Sequence, residues 1–358
     1  MTQSAFWGPY RALVAPAVPV YFYLIILSTL RLNPSLSWLT GLFSAVGYLA
    51  ATGYTYWQYP DPAPGLSLFP VEIYLTYAAA ILIGGVIAAA VAGQIRNHVR
   101  AALREAETRR EVERLEHDLG IARSIQQGLL PRNPPRLDGF EIAGWNQPAD
   151  QTGGDYFDWQ ELPDGRVAIS LADVTGHGIG PALVTAVCRA YARASFPSDS
   201  ELESVMKRLN NLLFEDLPPE RFVTFVVALL DPTTSEIQLL SAGHAPLLLY
   251  TAADDRVHNF NTHGVPFGLF SGSAYGSPQQ IKLAPGDMLI LITDGFLEWM
   301  NSEDEEFGLS RVQEVLCAAK DLPPDEIISK LYSEVIIFSG GTQQQDDLTV
   351  VILKRNTE

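Results

Sequence analysis

Hydrophobic positions fall into three regimes along the chain. Up to about residue 95 they form long, nearly unbroken runs; from 96 to about 131 they follow one stripe in a highly charged background; beyond that they alternate or cluster briefly between Gly-, Pro- and Asp-rich turns. The first regime predicts three membrane spans, Leu13–Leu30, Leu39–Trp57 and Val71–Ile95. Each is long enough for a hydrocarbon layer of about 30 Å. Pro16 and Pro19 lie in the first span, where membrane helices tolerate proline. A two-span alternative leaves that segment re-entrant. It does not read as a cleaved signal peptide, because it is long, lacks a small-residue cleavage site and is followed by further spans. Arg31, Arg96, Arg100 and Arg104, set against Asp61 and Glu72, place the first connection and everything after the last span in the cytoplasm. Arg11 opposes this slightly. Tyr54, Tyr56, Trp57 and Tyr59 suit an interfacial girdle. No ionisable residue lies deep in a span, so anchoring or sensing is expected rather than transport.

In the second regime, residues 96–131, Val112, Leu115, Leu119, Ala122, Gln126 and Leu129 recur at alternating spacings of three and four. That pattern predicts a linker helix. The stripe suits either the seam of a parallel coiled-coil homodimer, with Gln126 as its polar member, or one helix packing on its own domain. Pro131, Pro134 and Pro135 end it.

In the third regime, residues 132–358, period-2 and short apolar runs predict strands at Phe140–Ala149, Trp159–Glu161, Arg166–Ala172, Phe222–Leu230, Glu236–Ser241, Leu247–Thr251, Val257–Asn259, Gln280–Leu283, Met288–Thr293 and Leu348–Lys354. Helical stripes are expected at Pro181–Ala194, Glu201–Phe214, Leu309–Ala319 and Pro324–Phe338. The Pro-Gly-Asp turn is expected to join Gln280–Leu283 to an apolar, central Met288–Thr293. Strands interrupted by helix pairs favour two antiparallel sheets flanked by helices over a parallel Rossmann sheet. Neither a GxGxxG fingerprint nor a P-loop is present.

Charge narrows the function further. A net charge of −17 and a pI near 4.7 argue against nucleic-acid binding. The two cysteines, Cys188 and Cys317, lack metal-ligand spacing and read as buried thiols of a cytoplasmic domain.

Chemistry centres on Ala172–Leu183, ADVTGHGIGPAL, where Asp173 ends a strand and a glycine turn opens a helix. An aspartate there suits a divalent cation, since glycines let a backbone carbonyl approach; a solvated strand-to-helix turn is the plainer reading. Three more acidic clusters border strands: Asp155 with Asp158, Asp294, and Asp346 with Asp347. Each aspartate could simply cap a turn. Together they could converge at one edge of two packed sheets and supply the oxygen ligands that hard cations require. His177 could donate a proton to a leaving oxygen or simply hydrogen-bond within its turn.

The ordered strings GGDYFD, DVTGHG, SAGHAPLLLY, ITDGFLE and QDDLTVVIL, with IARSIQQGLLP as a helical lead-in, resemble the bacterial PP2C-like (PPM-type) serine/threonine phosphatases of the sporulation-stage-II-E and sigma-factor-regulator branch. The resemblance runs from about Asp118 to Lys354. It implies an α/β (α+β) PP2C-like sandwich over 132–358, preceded by the membrane region at 1–95 and the linker helix at 96–131 that the apolar runs and the stripe predict. It also implies two Mn²⁺ or Mg²⁺ ions held by Asp155, Asp173, the Val174 carbonyl, Asp294 and Asp346, with Asp347 a further candidate. The implied catalytic set is Asp155, Asp173, His177, Asp294 and Asp346, and His244 is expected to brace a loop. The implied substrate is a phosphorylated protein such as an anti-sigma-factor antagonist, met by a multi-pass membrane phosphatase facing the cytoplasm. The first-strand region lacks the arginine phosphate clamp of larger PP2C enzymes. The alternative is a non-catalytic membrane scaffold or receptor on the same fold, which would need a broken ligand set.

Overall fold

A computed structural model describes residues 17–58, 71–176, 178–198, 201–260 and 264–357. The chain divides into two compact units, Met1–Arg114 and Leu115–Glu358.

In the first unit, helices α1 (Ala17–Thr29) and α2 (Pro34–Gln58) precede α3 (Val71–Leu129), a single helix of 59 residues that continues into the second unit. Small residues set the helix packing. Gly41 and Gly85 meet so closely that a Cβ on Gly41 would lie 2.5 Å from the Gly85 Cα. Tyr48, Tyr74 and Ile81 are the most deeply buried side chains of this unit's apolar cluster. Among the described residues one helix, α3, is long and apolar enough to cross a membrane. The apolar part of α1, Val18–Thr29, is shorter, and the start of the expected first span lies outside the described residues, as do Tyr59 and Asp61.

The second unit contains two five-stranded antiparallel sheets. One runs in the order β1 (Phe140–Gln147), β10 (Leu348–Arg355), β9 (Met288–Ile292), β6 (Leu247–Thr251), β7 (Arg256–Phe260). The other runs β2 (Asp155–Glu161), β3 (Val167–Val174), β4 (Val223–Asp231), β5 (Glu236–Ala242), β8 (Gln279–Lys282). Period-2 alternation explains how they pack. Phe157, Trp159, Val167, Ile169 and Leu171 face the other sheet and build the sandwich core with Leu249, Leu289 and Val351. The intervening Tyr156, Ala168, Ala172 and Val174 face α4 (Ile179–Ser195) and α5 (Leu202–Asp216). On the other flank, α6 (Gly295–Glu298), α7 (Gly308–Ala318) and α8 (Pro324–Ser339) cover Ile290, Val350 and Ile352.

Strand β9 is central, as its unbroken apolar run predicts. The Pro-Gly-Asp turn does not make a hairpin, however. Strands β8 and β9 belong to different sheets, so the turn carries the chain across the sandwich. Asp287 holds it: its carboxylate accepts from the Ala252 and Ala284 amides at 2.8 and 2.7 Å. A local turn signal cannot distinguish a hairpin from a sheet-to-sheet corner, because the distinction lies in the partners of the two strands.

Candidate active site

The Pro-Asp-Gly turn pairs β2 with β3 so that Asp155 stands directly opposite Asp173. Both lie on the inter-sheet face at the end of the ladder, in the period of Phe157 and Leu171. In the other sheet β9 runs out at Ile292 beside the start of β10, with Val350 opposite Ile292. That register brings Thr293–Asp294 and Asp346–Asp347 to the same edge of the sandwich.

The carboxylates act on one another. Burial, then the negative charge of Asp173 and Asp347, hold the Asp155 carboxyl well above the usual range, and hydrogen bonds from Thr349 and Thr293 offset part of this. Burial first, then Asp294, Asp346 and Asp347, push Asp173 up to about 7. Asp294 is raised by burial and by Asp346. Like charges gathered in a poorly solvated place create a demand for positive charge. The backbone adds neutral donors. At Gly154 a Cβ would stand 2.5 Å from the Val174 carbonyl oxygen and 3.0 Å from that of Gly176, so only glycine leaves this cradle open. Carboxylates and backbone carbonyls are the hard oxygen donors that Mg²⁺ and Mn²⁺ prefer. As placed, no three Asp, Glu, His or Cys side chains among the described residues close into one cage. Asp294 is half-buried and Asp346 exposed, so both can turn without disturbing the core.

Asp347 is placed differently from the other four. Its Oδ1 accepts from the Ala149 amide at 2.8 Å, and its Oδ2 accepts from the Gly154 and Asp155 amides at 2.5 and 3.2 Å. Its carboxylate presses on Gly153, where any side chain would collide with it. This is a bracket for the segment carrying Asp155. The Asp155 Oδ2 in turn accepts from Thr349 Oγ1 at 2.6 Å and Thr293 Oγ1 at 3.0 Å. These two threonines were not singled out from sequence, although each sits in the same short string as a candidate aspartate, TDG and DDLT.

His177 lies outside the described residues. Asp158, one residue along β2 beyond Phe157, lies on the opposite face, turned towards α4. Its carboxylate accepts from Arg193 Nε at 2.5 Å and Nη2 at 2.7 Å and lies 3.2 Å from Arg189 Nε, tying α4 to β2. Spacing of four places both arginines on one helix face.

His244 is buried, with Nδ1 3.2 Å from Thr224 Oγ1 and Nε2 3.1 Å from the Ile292 carbonyl oxygen. It joins β4 to the end of β9, just before Asp294. Only an N–H can face a carbonyl, so Nε2 carries the proton and Nδ1 accepts. Burial lowers its pKa to about 4 from 6.5. The unfolded chain therefore binds a proton that the folded chain refuses, and His244 costs stability as pH falls from about 6.5 towards 4. Replacing it with Gln should remove a loss on the order of 3 kcal/mol between pH 7 and 4 from the pH profile. Urea unfolding of both proteins across that range measures it; parallel profiles would exclude a neutral buried His244.

Two facing five-stranded antiparallel sheets with helical outer layers define the PP2C-like fold. The profile of the family described as Stage II sporulation protein E (SpoIIE) matches residues 163–356, and the chain belongs to that family. It is 27% identical to phosphoserine phosphatase RsbU of Bacillus subtilis (strain 168) over 71% of this chain and 75% of RsbU. It is also 27% identical to protein IcfG of Synechocystis sp., covering 73% of this chain but only 45% of that protein. The SiaA-PP2C domain of Pseudomonas aeruginosa shares the fold, with a TM-score of 0.59 at 20% identity over 69% of this chain and 98% of the domain.

Proposed function

We propose that this chain is a membrane-tethered, divalent-metal-dependent protein phosphatase acting on phosphoserine or phosphothreonine. The observation that carries the proposal is the Asp155–Asp173 cross-strand pair with Asp294 and Asp346 brought to its edge by the second sheet. Asp155, Asp173, Asp294, Asp346 and the Val174 carbonyl would hold two Mn²⁺ or Mg²⁺ ions. When bound, such ions would lower the pKa of water at the site and neutralise phosphoryl oxygens. The protein's part is to hold those oxygens in place: Thr293 and Thr349 orient Asp155, and Asp347 brackets the Gly154–Asp155 backbone instead of ligating. His177 is assigned the proton donated to the leaving serine or threonine oxygen.

RsbU is named for phosphoserine hydrolysis, which supports a phosphorylated regulatory protein, such as an anti-sigma-factor antagonist, as substrate here. The cytoplasmic placement of the phosphatase domain rests on the arginines that follow the apolar part of α3, and the multi-pass topology on the further apolar runs at 13–30 and 39–57. A parallel homodimer is assigned to the upper linker only, because Val112 and Leu115 remain 48% and 57% exposed while Leu119, Ala122 and Leu129 are partly buried and Gln126 is buried.

One experiment addresses activity and orientation together. Inverted membrane vesicles carrying the full chain should release phosphate from a phosphoserine protein in Mn²⁺, and chelator should stop it. Right-side-out vesicles should be inactive. No release from either kind overturns the phosphatase, and release from the right-side-out vesicles overturns the orientation.

A further inference from the structure

Gln126 lies one turn before the end of α3, with 9% of its surface exposed. Its Nε2 donates to the Gly153 carbonyl at 2.6 Å, and the Gly153 amide donates to its Oε1 at 3.1 Å. One planar side-chain amide thus satisfies both backbone groups of a single glycine, as a neighbouring strand would. Gly153 is pinned on its other side by the Asp347 carboxylate. The next residue, Gly154, donates to Asp347 and accepts from Thr185 Oγ1 at 2.8 Å and the Val174 amide at 3.1 Å. Asp155 follows, donating its own amide to Asp347 at 3.2 Å.

Helix anchoring does not explain the choice of glutamine. Leu130, beside the helix end, packs against both the sandwich core and the α4–α5 core. An apolar residue at 126 would bury with less desolvation than an amide. What glutamine adds is two directed bonds to the residue two positions before Asp155.

We propose that Gln126 is a positioning residue for the carboxylate edge: its amide sets the path of Gly153–Gly154 and so the placement of Asp155 and the openness of the Gly154 cradle. This rests on the metal-site reading given above. Residues outside a ligand set that orient it typically change metal affinity 10- to 100-fold when lost. The same amide cannot serve as the polar position of a coiled-coil seam while it holds Gly153.

The test uses the full chain in lipid nanodiscs. Gln126→Met keeps the side-chain length and removes both bonds; Gln127→Met, at an exposed neighbour, is the control. Three quantities are read: Mn²⁺ affinity by calorimetry, phosphatase rate against Mn²⁺ concentration, and hydrogen exchange of the peptide containing Gly153. Gln126→Met should weaken Mn²⁺ binding about tenfold and raise the half-activating Mn²⁺ equally. Its rate at saturating Mn²⁺ should return to within about twofold of wild type, and exchange near Gly153 should accelerate. Gln127→Met should match wild type. If Gln126→Met does not fold, Gln126→Glu, which keeps the acceptor for the Gly153 amide and loses the donor, is judged by the same affinity. Wild-type Mn²⁺ affinity in the folded variant, with exchange at Gly153 accelerated, overturns the proposal. A wild-type chain that binds no Mn²⁺ overturns the metal-site reading, and this proposal with it.

Discussion

Asp173→Ala is expected to lower phosphoserine hydrolysis by about a thousandfold or more, the several kcal/mol that a metal centre contributes to a phosphoryl-transfer barrier. Asp173 faces Asp155 across the ladder and feels Asp294, Asp346 and Asp347, so it is the carboxylate most central to the cluster. The same substitution should not harm the metal-free fold. Its carboxyl is raised to about 7 from 3.8, so the folded chain holds a proton that the unfolded chain has released. A raised carboxyl contributes a cost that grows as pH rises through that window and is complete above about 7. Removing it should leave the metal-free protein at least as stable as wild type at pH 8 and less stabilised by added Mn²⁺. Thermal unfolding with and without Mn²⁺, beside an activity assay, separates the two effects. An Asp173→Ala chain with near-wild-type rate, or with an unchanged Mn²⁺-dependent rise in melting temperature, would remove Asp173 from the site.

Asp347→Ala should behave in the opposite way, losing stability as well as activity. Its carboxylate is the acceptor for three backbone amides, those of Ala149, Gly154 and Asp155. Leaving such groups unpaired costs about 1–3 kcal/mol each when they are buried, and Ala149 is only partly so. A total of about 3–5 kcal/mol corresponds to roughly a 10 °C fall in melting temperature for a domain of this size. Asp347→Asn should fall between, since the amide keeps one acceptor oxygen and turns an N–H₂ towards the remaining donors. Catalysis should fall in step, because Gly153–Asp155 loses its bracket from below. Calorimetric unfolding of the metal-free proteins decides the matter: equal destabilisation by Asp347→Ala and Asp173→Ala would show that the two aspartates do not differ in role.

Gln126 shows where periodicity ends as a guide. The stripe from Val112 to Leu129 is compatible with a second helix or with the chain's own domain, since both present an apolar surface at the same spacing. The lower half of the stripe, from Leu119 to Leu129, is partly buried within the second unit, with Gln126 buried and its amide bonded to Gly153. The upper half, at Val112 and Leu115, is exposed. No pattern within the helix distinguishes the halves, because the difference is what stands opposite them.

Local chemistry was sufficient for most strands and helices and for the acidic corners, although β2 begins at Asp155 rather than Trp159 and the short helix Gly295–Glu298 had no signal of its own. Alternation between apolar and polar residues sets which face of a strand is buried, Pro and Gly set where it ends, and the ordered acidic strings carried the resemblance to PP2C-like phosphatases. The convergence of Asp155, Asp173, Asp294 and Asp346 was legible only as a possibility of two packed sheets. Register sets Asp155 opposite Asp173 in one sheet and ends β9 beside the start of β10 in the other, and the bonds from Thr293 and Thr349 to Asp155 join the two strand ends. Tertiary structure alone separated Asp347 from the other carboxylates, gave Thr293 and Thr349 to Asp155, turned Asp158 towards Arg189 and Arg193, and sent the Pro-Gly-Asp turn from sheet to sheet. Each of these depends on partners about thirty to two hundred residues apart, and a side chain's hydrogen-bonding capacity does not specify which distant donor will meet it.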